Sequence, residues 1–134
     1  MTDVLEVELE WLEGFRFEAS SSGQAAVIDG TRTASLAPTD MLLSAVAACA
    51  GIDVVDILEK GRQPLDGLRV HVSGRRRRDP PRYFEQMHFR FTLRGEVSEA
   101  KAQRAVDLSF EKYCSVYHTL RADLETTWEL EVQS

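Results

Sequence analysis

Apolar and polar positions alternate strictly at the start of the chain. Residues 4–11 read VLEVELEW, with Leu5, Val7, Leu9 and Trp11 on one side and Glu6, Glu8 and Glu10 on the other. A period of two predicts a half-buried strand. Gly14 marks a turn, and Phe15 with Phe17 flanks Arg16 in a second short strand. Ser20 to Gly23 reads as a turn-rich connection, Gln24 to Ile28 as a third strand, and Asp29-Gly30 as a hairpin-type signal. The first third of the chain is thus expected to be a meander of three antiparallel strands, followed by a loop from Thr31 to Ala37.

The pattern then changes. Ala37 to Gly61, APTDMLLSAVAACAGIDVVDILEKG, is the longest apolar run. Pro38 suits a first helical turn, and Thr39 and Asp40 put polar and acidic groups at its positive end. Lys60 and Gly61 supply a closing cation and a residue that tolerates a left-handed backbone, with Pro64 as a breaker beyond. One long helix is expected. It has almost no polar face, so it must be enclosed. A membrane span is the weaker reading, because Asp40, Asp53 and Asp56 interrupt the run. A domain of this size rarely encloses a helix alone, so a subunit interface is expected to complete the enclosure.

Beyond Pro64 the strand period returns. Leu68, Val70 and Val72 alternate with Arg69 and His71, and over 83–94 Met87, Phe89, Phe91 and Leu93 alternate with Gln86, His88, Arg90 and Thr92. GRRRRDPPR, from Gly74, reads as the polar tip of the long hairpin between them. Ser98 is a candidate N-cap for a second helix running to about Tyr113, with Ala102, Ala105, Val106, Ser109 and Tyr113 on its buried face. Cys114 is expected to start a short third helix through Leu120. In LETTWELEV, Leu124, Thr126, Trp128, Leu130 and Val132 form a last strand. The order βββ-α-ββ-αα-β, with strands and helices segregated, predicts an α+β fold with antiparallel sheets.

Bulk properties narrow the function. A chain of 134 residues is expected to form a single domain with a core that needs no disulfide staples. A net charge of −6 argues against nucleic acid or an anionic membrane as partner. Glu6, Glu8 and Glu10 occupy the place of a signal peptide, so a cytoplasmic location is expected. Arg75 to Arg78 fit a solvated hairpin tip better than a phosphate or nucleic-acid contact.

Two cysteines, Cys49 and Cys114, are the candidates for chemistry. Either can be a small buried hydrophobe, a common role for a free cysteine. Two features point the other way. Cys114 follows Lys112 at an expected helix start, where positive potential favours a thiolate. Cys49 has Asp53 one turn on, a carboxylate that needs a cationic partner if buried. An arginine answering Asp53 or Asp40 would also hold a thiolate at Cys49. Metal binding is disfavoured: the two cysteines and His71, His88 and His118 form no four-ligand motif along the chain, and His71 and His88 face solvent on strands. The chain has no CxxC, GxGxxG, P-loop or GxSxG motif.

Pro38 with LLSAVAACAGIDVVDILEK, then PLDGLRVHVSG, an aromatic strand and VDLSFEKYCSV, resembles the OsmC/Ohr family of thiol-dependent hydroperoxide reductases over nearly the whole chain. The likeness is to the general OsmC-like branch, because Cys114-Ser115-Val116 stands where the Ohr branch has Cys-Pro. The resemblance implies an intertwined homodimer whose sheets enclose the central helices. It implies a peroxidatic Cys49 that becomes a sulfenic acid, and a resolving Cys114 that closes a Cys49–Cys114 disulfide, later reduced by an external dithiol with no bound cofactor. It further implies an arginine from the N-terminal region and a glutamate near the start of the long helix. Here the glutamate position is Thr39, with Asp40 the nearest acid, and the arginine is Arg16 or Arg32. The implied function is cytoplasmic reduction of organic hydroperoxides. The rival is a non-catalytic dimer of the same fold that binds a small apolar ligand at its interface.

Overall fold

The computed structural model describes residues 3–134, which divide into two compact units, one ending at Leu42 and the other spanning Leu43–Ser134. The first holds the antiparallel sheet β1 (Glu8–Glu13), β2 (Arg16–Ser21) and β3 (Gln24–Asp29), in that order. The first strand starts later than its alternation suggests, so Leu5 and Val7 precede it. Ser22 and Gly23 turn the β2–β3 hairpin with φ of 51° and 78°, the left-handed pair that matches strand twist in a two-residue loop. Cross-strand pairing puts Leu9, Trp11, Phe17, Ala19, Ala26 and Ile28 on one face. That face is not half-buried as expected: Leu9 is 55% exposed, Trp11 63% and Phe17 40%.

Asp29-Gly30 makes no hairpin. The fully buried Asp29 carboxylate accepts from the Thr31 N–H (2.9 Å), the Thr31 hydroxyl (2.7 Å) and the Ala34 N–H (2.8 Å), and so shapes the loop after β3 instead. These donors, Thr31 first, hold its carboxyl well below the usual carboxylate range despite burial. The loop leads into helix α1 (Pro38–Lys60), the span expected. The carbonyl of Ala37 accepts the first helical bond, from the Met41 N–H, and the Asp40 carboxylate reaches back to the Ala37 N–H at 3.0 Å. That is one half of a capping box, with aspartate in the third helical position.

In the second unit, β4 (Leu65–Arg76), β5 (Phe84–Gly95) and β6 (Glu125–Gln133) form a sheet in that order. The β4–β5 hairpin is antiparallel, as expected, with the arginine-rich segment at its tip. Strand β6 runs parallel to β5, contrary to the all-antiparallel expectation. The reason is connectivity: the chain crosses over through α2 (Glu99–Leu108) before returning, and a crossover delivers a parallel strand. Alternation sets the inner face, where Val70 pairs with Phe91 and Phe91 with Leu130, and Val72 with Phe89 and Phe89 with Trp128.

The core of this unit comprises that face, Ala102, Ala105 and Val106 of α2, and one side of α1 with Val46, Ala50, Val54 and Leu58. A Cβ built on Gly51 would lie 3.5 Å from Val70 Cγ2 and 3.8 Å from Leu68 Cδ2, so α1 sits directly on β4. Ser98 caps α2 as expected, accepting from the Lys101 N–H at 3.3 Å. At the end of α1 the left-handed residue is Arg62 (φ 59°) rather than Gly61. The Gln63 N–H donates to Leu58 and the Arg62 N–H to Glu59, a Schellman closure displaced by one residue.

The expected all-round enclosure of α1 is not met within one chain. Ala45, Ala48 and Ile52 form an exposed apolar stripe, with Ile52 at 67% exposure. α1 has the length and composition of a membrane span, but a core helix passes the same test, and Val46, Ala50, Val54 and Leu58 of α1 belong to the core of this unit.

Candidate active site

Helical spacing puts Cys49 and Asp53 on the same side of α1, one turn apart. Opposite them the chain leaves α2 through a single π-helical turn, Ser109–Tyr113. The Cys114 N–H donates to the Ser109 carbonyl at 2.8 Å, closing the wide turn. Two consequences follow. The fully buried Ser109 donates its hydroxyl to Asp53 Oδ2 at 2.8 Å. Cys114 then leaves the turn in extended backbone (φ −74°, ψ 96°), fully buried, with its sulfur 4.0 Å from the Val46 carbonyl.

The Cys49 sulfur, the Cys114 sulfur and an Asp53 carboxylate oxygen lie within 4.8 Å of one another. Both thiols are free. Sulfurs so placed can close to the disulfide length of about 2.05 Å by side-chain rotation and a small backbone shift. Cys49 is the more accessible of the two, being partly exposed. These three groups are also the set that could hold a metal ion, a convergence that linear spacing did not foreshadow. A tetrahedral structural zinc takes four ligands, and these groups supply three.

The electrostatics at Cys114 differ from expectation. No helix begins there; the next turn is a 3-10 segment, Tyr117–Thr119, and the cysteine ends the π-turn instead. Burial pushes its thiol up to about 11, with the Cys49 sulfur and the Asp53 charge adding to the rise and the Tyr117 N–H opposing it. Lys112 lies 5.3 Å over the Tyr113 ring. Nor is Asp53 answered by a cation: among the described residues no ion pair involves it, and its partner is Ser109.

The other candidate residues lie in the first unit. Arg16 bonds the Asp29 carboxylate (3.3 Å), Glu13 (3.3 Å) and the Thr33 hydroxyl (3.2 Å). Arg32 holds Asp40 through two bonds, of 2.8 and 3.1 Å. The carboxyl of Asp40 is lowered by this guanidinium and by the Ala37 N–H. Arg32 does so from a left-handed backbone, φ 61°.

The sequence profile described as OsmC-like protein matches residues 30–129, a span that includes both cysteines and Asp53. The chain belongs to the OsmC-like family. It is 37% identical to Protein YhfA of Escherichia coli K12 over 131 residues, 96% of this chain and 98% of that one. A hypothetical protein from Aquifex aeolicus has the same fold at a TM-score of 0.87 and 31% identity, covering 99% of this chain and 100% of its own. An organic hydroperoxide resistance protein OsmC from Legionella pneumophila shares the fold at a TM-score of 0.68 and 13% identity, over 99% of this chain and 100% of its own.

In this OsmC-like chain the residue that sequence reasoning missed is Ser109. It read as one more position on the buried face of a continuous helix. Its signal was a hydroxyl among Ala102, Ala105 and Val106, since a buried hydroxyl needs a partner.

Proposed function

We propose that the protein is a homodimeric thiol peroxidase that reduces organic hydroperoxides and, by the same chemistry, hydrogen peroxide. The observation that carries this reading is the approach of the Cys49 and Cys114 sulfurs to within 4.8 Å. Cys49, the more accessible sulfur, attacks the terminal peroxide oxygen as a thiolate. The O–O bond breaks, the alkoxide leaves as an alcohol after protonation, and Cys49 becomes a sulfenic acid. Cys114 displaces the sulfenic oxygen as water and forms the disulfide, which an external dithiol reduces by exchange. No resident cofactor takes part.

A second copy of the chain covers the apolar faces that one copy leaves exposed, the Leu9, Trp11 and Phe17 sheet face and the Ala45, Ala48 and Ile52 stripe. In that assembly Arg16 or Arg32 supplies the cation at the Cys49 thiolate, and Asp40 orders the helix start. The protein acts in the cytoplasm, where dithiol reductants are available.

The test is peroxide consumption with a dithiol reductant, comparing the wild type with Cys49→Ser. Turnover in the wild type and its loss in the variant are expected. Equal rates would overturn the reading and favour the ligand-binding alternative.

A further inference from the structure

We infer that Asp53 is the proton carrier of the resolving step, taking the proton of Cys114 and delivering it to the oxygen that leaves Cys49. The inference rests on the thiol peroxidase reading and adds a third group to the cysteine pair. Three observations carry it. Asp53 is one helical turn from Cys49, and its carboxylate lies within 4.8 Å of both sulfurs, within direct reach or the reach of one bridging water. It is held there by the hydroxyl of the fully buried Ser109 at 2.8 Å. The serine and Cys114 are the first residue of a π-helical turn and its cap, so one local departure from α-helix aims both at the same place. Isolated π-turns recur at functional sites.

The chemistry requires such a group. Cys114 is buried and its thiol sits at about 11, so at neutral pH it is protonated and must lose the proton as it attacks. The carboxylate of Asp53 accepts only, and among the described residues its one hydrogen bond, from Ser109, leaves lone pairs free. As the Cys114 sulfur bonds to the Cys49 sulfur, its S–H proton passes to Asp53 and the S–O bond of the sulfenic acid breaks. The departing hydroxide takes the proton from Asp53. One disulfide and one water result, and the carboxylate is restored. The oxidising equivalents come from the hydroperoxide that made the sulfenic acid, and the step consumes nothing else. Ser109 is a positioning residue that fixes which carboxylate oxygen faces the sulfurs.

The test separates this role from simple electrostatics, because the two have opposite signs. The charge of Asp53 raises the Cys114 thiol. If that were its whole effect, Asp53→Asn would create more thiolate and speed disulfide formation. As a proton carrier, its loss slows disulfide formation at pH 7 by about tenfold or more, with the Cys49 sulfenic acid persisting long enough to be trapped by dimedone. The disulfide rate of D53N should also climb steeply with pH while the wild-type rate changes little, and Asp53→Glu should recover part of the loss.

A second arm does not depend on peroxide chemistry. Cys49 is capped with methyl methanethiosulfonate, and the displacement of methanethiol by Cys114 is followed by mass. If the wild type forms no sulfenic acid with any hydroperoxide, the thiol peroxidase reading fails, and this arm still decides the role of Asp53. Slower displacement in D53N supports the proton carrier. Equal or faster displacement, in a variant whose thermal unfolding matches the wild type, overturns it.

Discussion

The hydroxyl of Ser109 donates to the carboxylate of Asp53 at 2.8 Å, joining the π-turn that presents Cys114 to the helix that carries Cys49. Two segments more than fifty residues apart in sequence are thereby registered at the sulfur pair. Removing the hydroxyl leaves a partly buried carboxylate without its protein donor. Ser109→Ala is therefore expected to lower stability by about 1–2 kcal/mol. Urea unfolding checks this: the midpoint should fall with the slope unchanged. An unmoved midpoint would mean the bond contributes nothing to the fold.

Cys114 should be a slow nucleophile at neutral pH. Its thiol is raised to about 11, first by burial, and only the thiolate alkylates. Labelling of Cys114 by iodoacetamide, mapped by mass, should rise about tenfold per pH unit above neutrality and level off only near the shifted value. The same shift bears on stability. An unfolded thiol titrates near about 8.5, so the folded chain holds this proton more tightly. The contribution is fully present below that pH and is lost as pH rises toward the folded value. Cys114→Ala should lack that part of the alkaline loss. Fast labelling at pH 7 would contradict the buried, neutral thiol.

Glycines in the second unit separate cleanly by surroundings. At Gly51 a Cβ would meet Val70 and Leu68 at ordinary contact distance, 3.5 and 3.8 Å. Gly51→Ala should stabilise the protein by about 0.5–1 kcal/mol through helix propensity. At Gly95, with φ 133°, a Cβ would collide with the Pro64 carbonyl oxygen. Gly95→Ala should cost several times what the first change gains. Thermal unfolding of the two variants, shifting in opposite directions, checks the packing of α1 on β4 and the bulged end of the β4–β5 hairpin.

The proposed homodimer makes its own prediction. Trp11 and Phe17 are cross-strand partners on an exposed apolar face. A charge there leaves an isolated chain nearly unaffected but opposes burial of that face against a second copy. Trp11→Glu should convert a dimer to a monomer in sedimentation at micromolar concentration. A wild type that sediments as a monomer would remove the assembly from the account.

What could be read in the sequence followed from periodicity. The bounds of α1 emerge from Pro38 and Lys60, and the buried set Met87, Phe89, Phe91 and Leu93 from strict alternation. Features that depend on distant groups were not legible. The direction of β6 is decided by the crossover before it, because alternation reads the same in parallel and antiparallel strands. Asp29-Gly30 has hairpin composition, yet the carboxylate found stronger donors in Thr31 and Ala34 than a turn would offer. The π-turn at Ser109 adds one residue to a helical repeat, a change too small to disturb the apolar spacing ahead of it. At the site the cysteines were evident as residue types, but the partner of Asp53 was expected to be a cation and is a hydroxyl.

The account turns on whether the two sulfurs react with each other. The most direct measurement adds one equivalent of an organic hydroperoxide to the reduced protein, blocks remaining thiols and maps the products by mass under non-reducing conditions. A Cys49–Cys114 disulfide within a single chain, absent in both Cys49→Ser and Cys114→Ser, is the predicted result. Two free thiols after the peroxide has been offered, or oxidation confined to one cysteine while the other stays free, would contradict it.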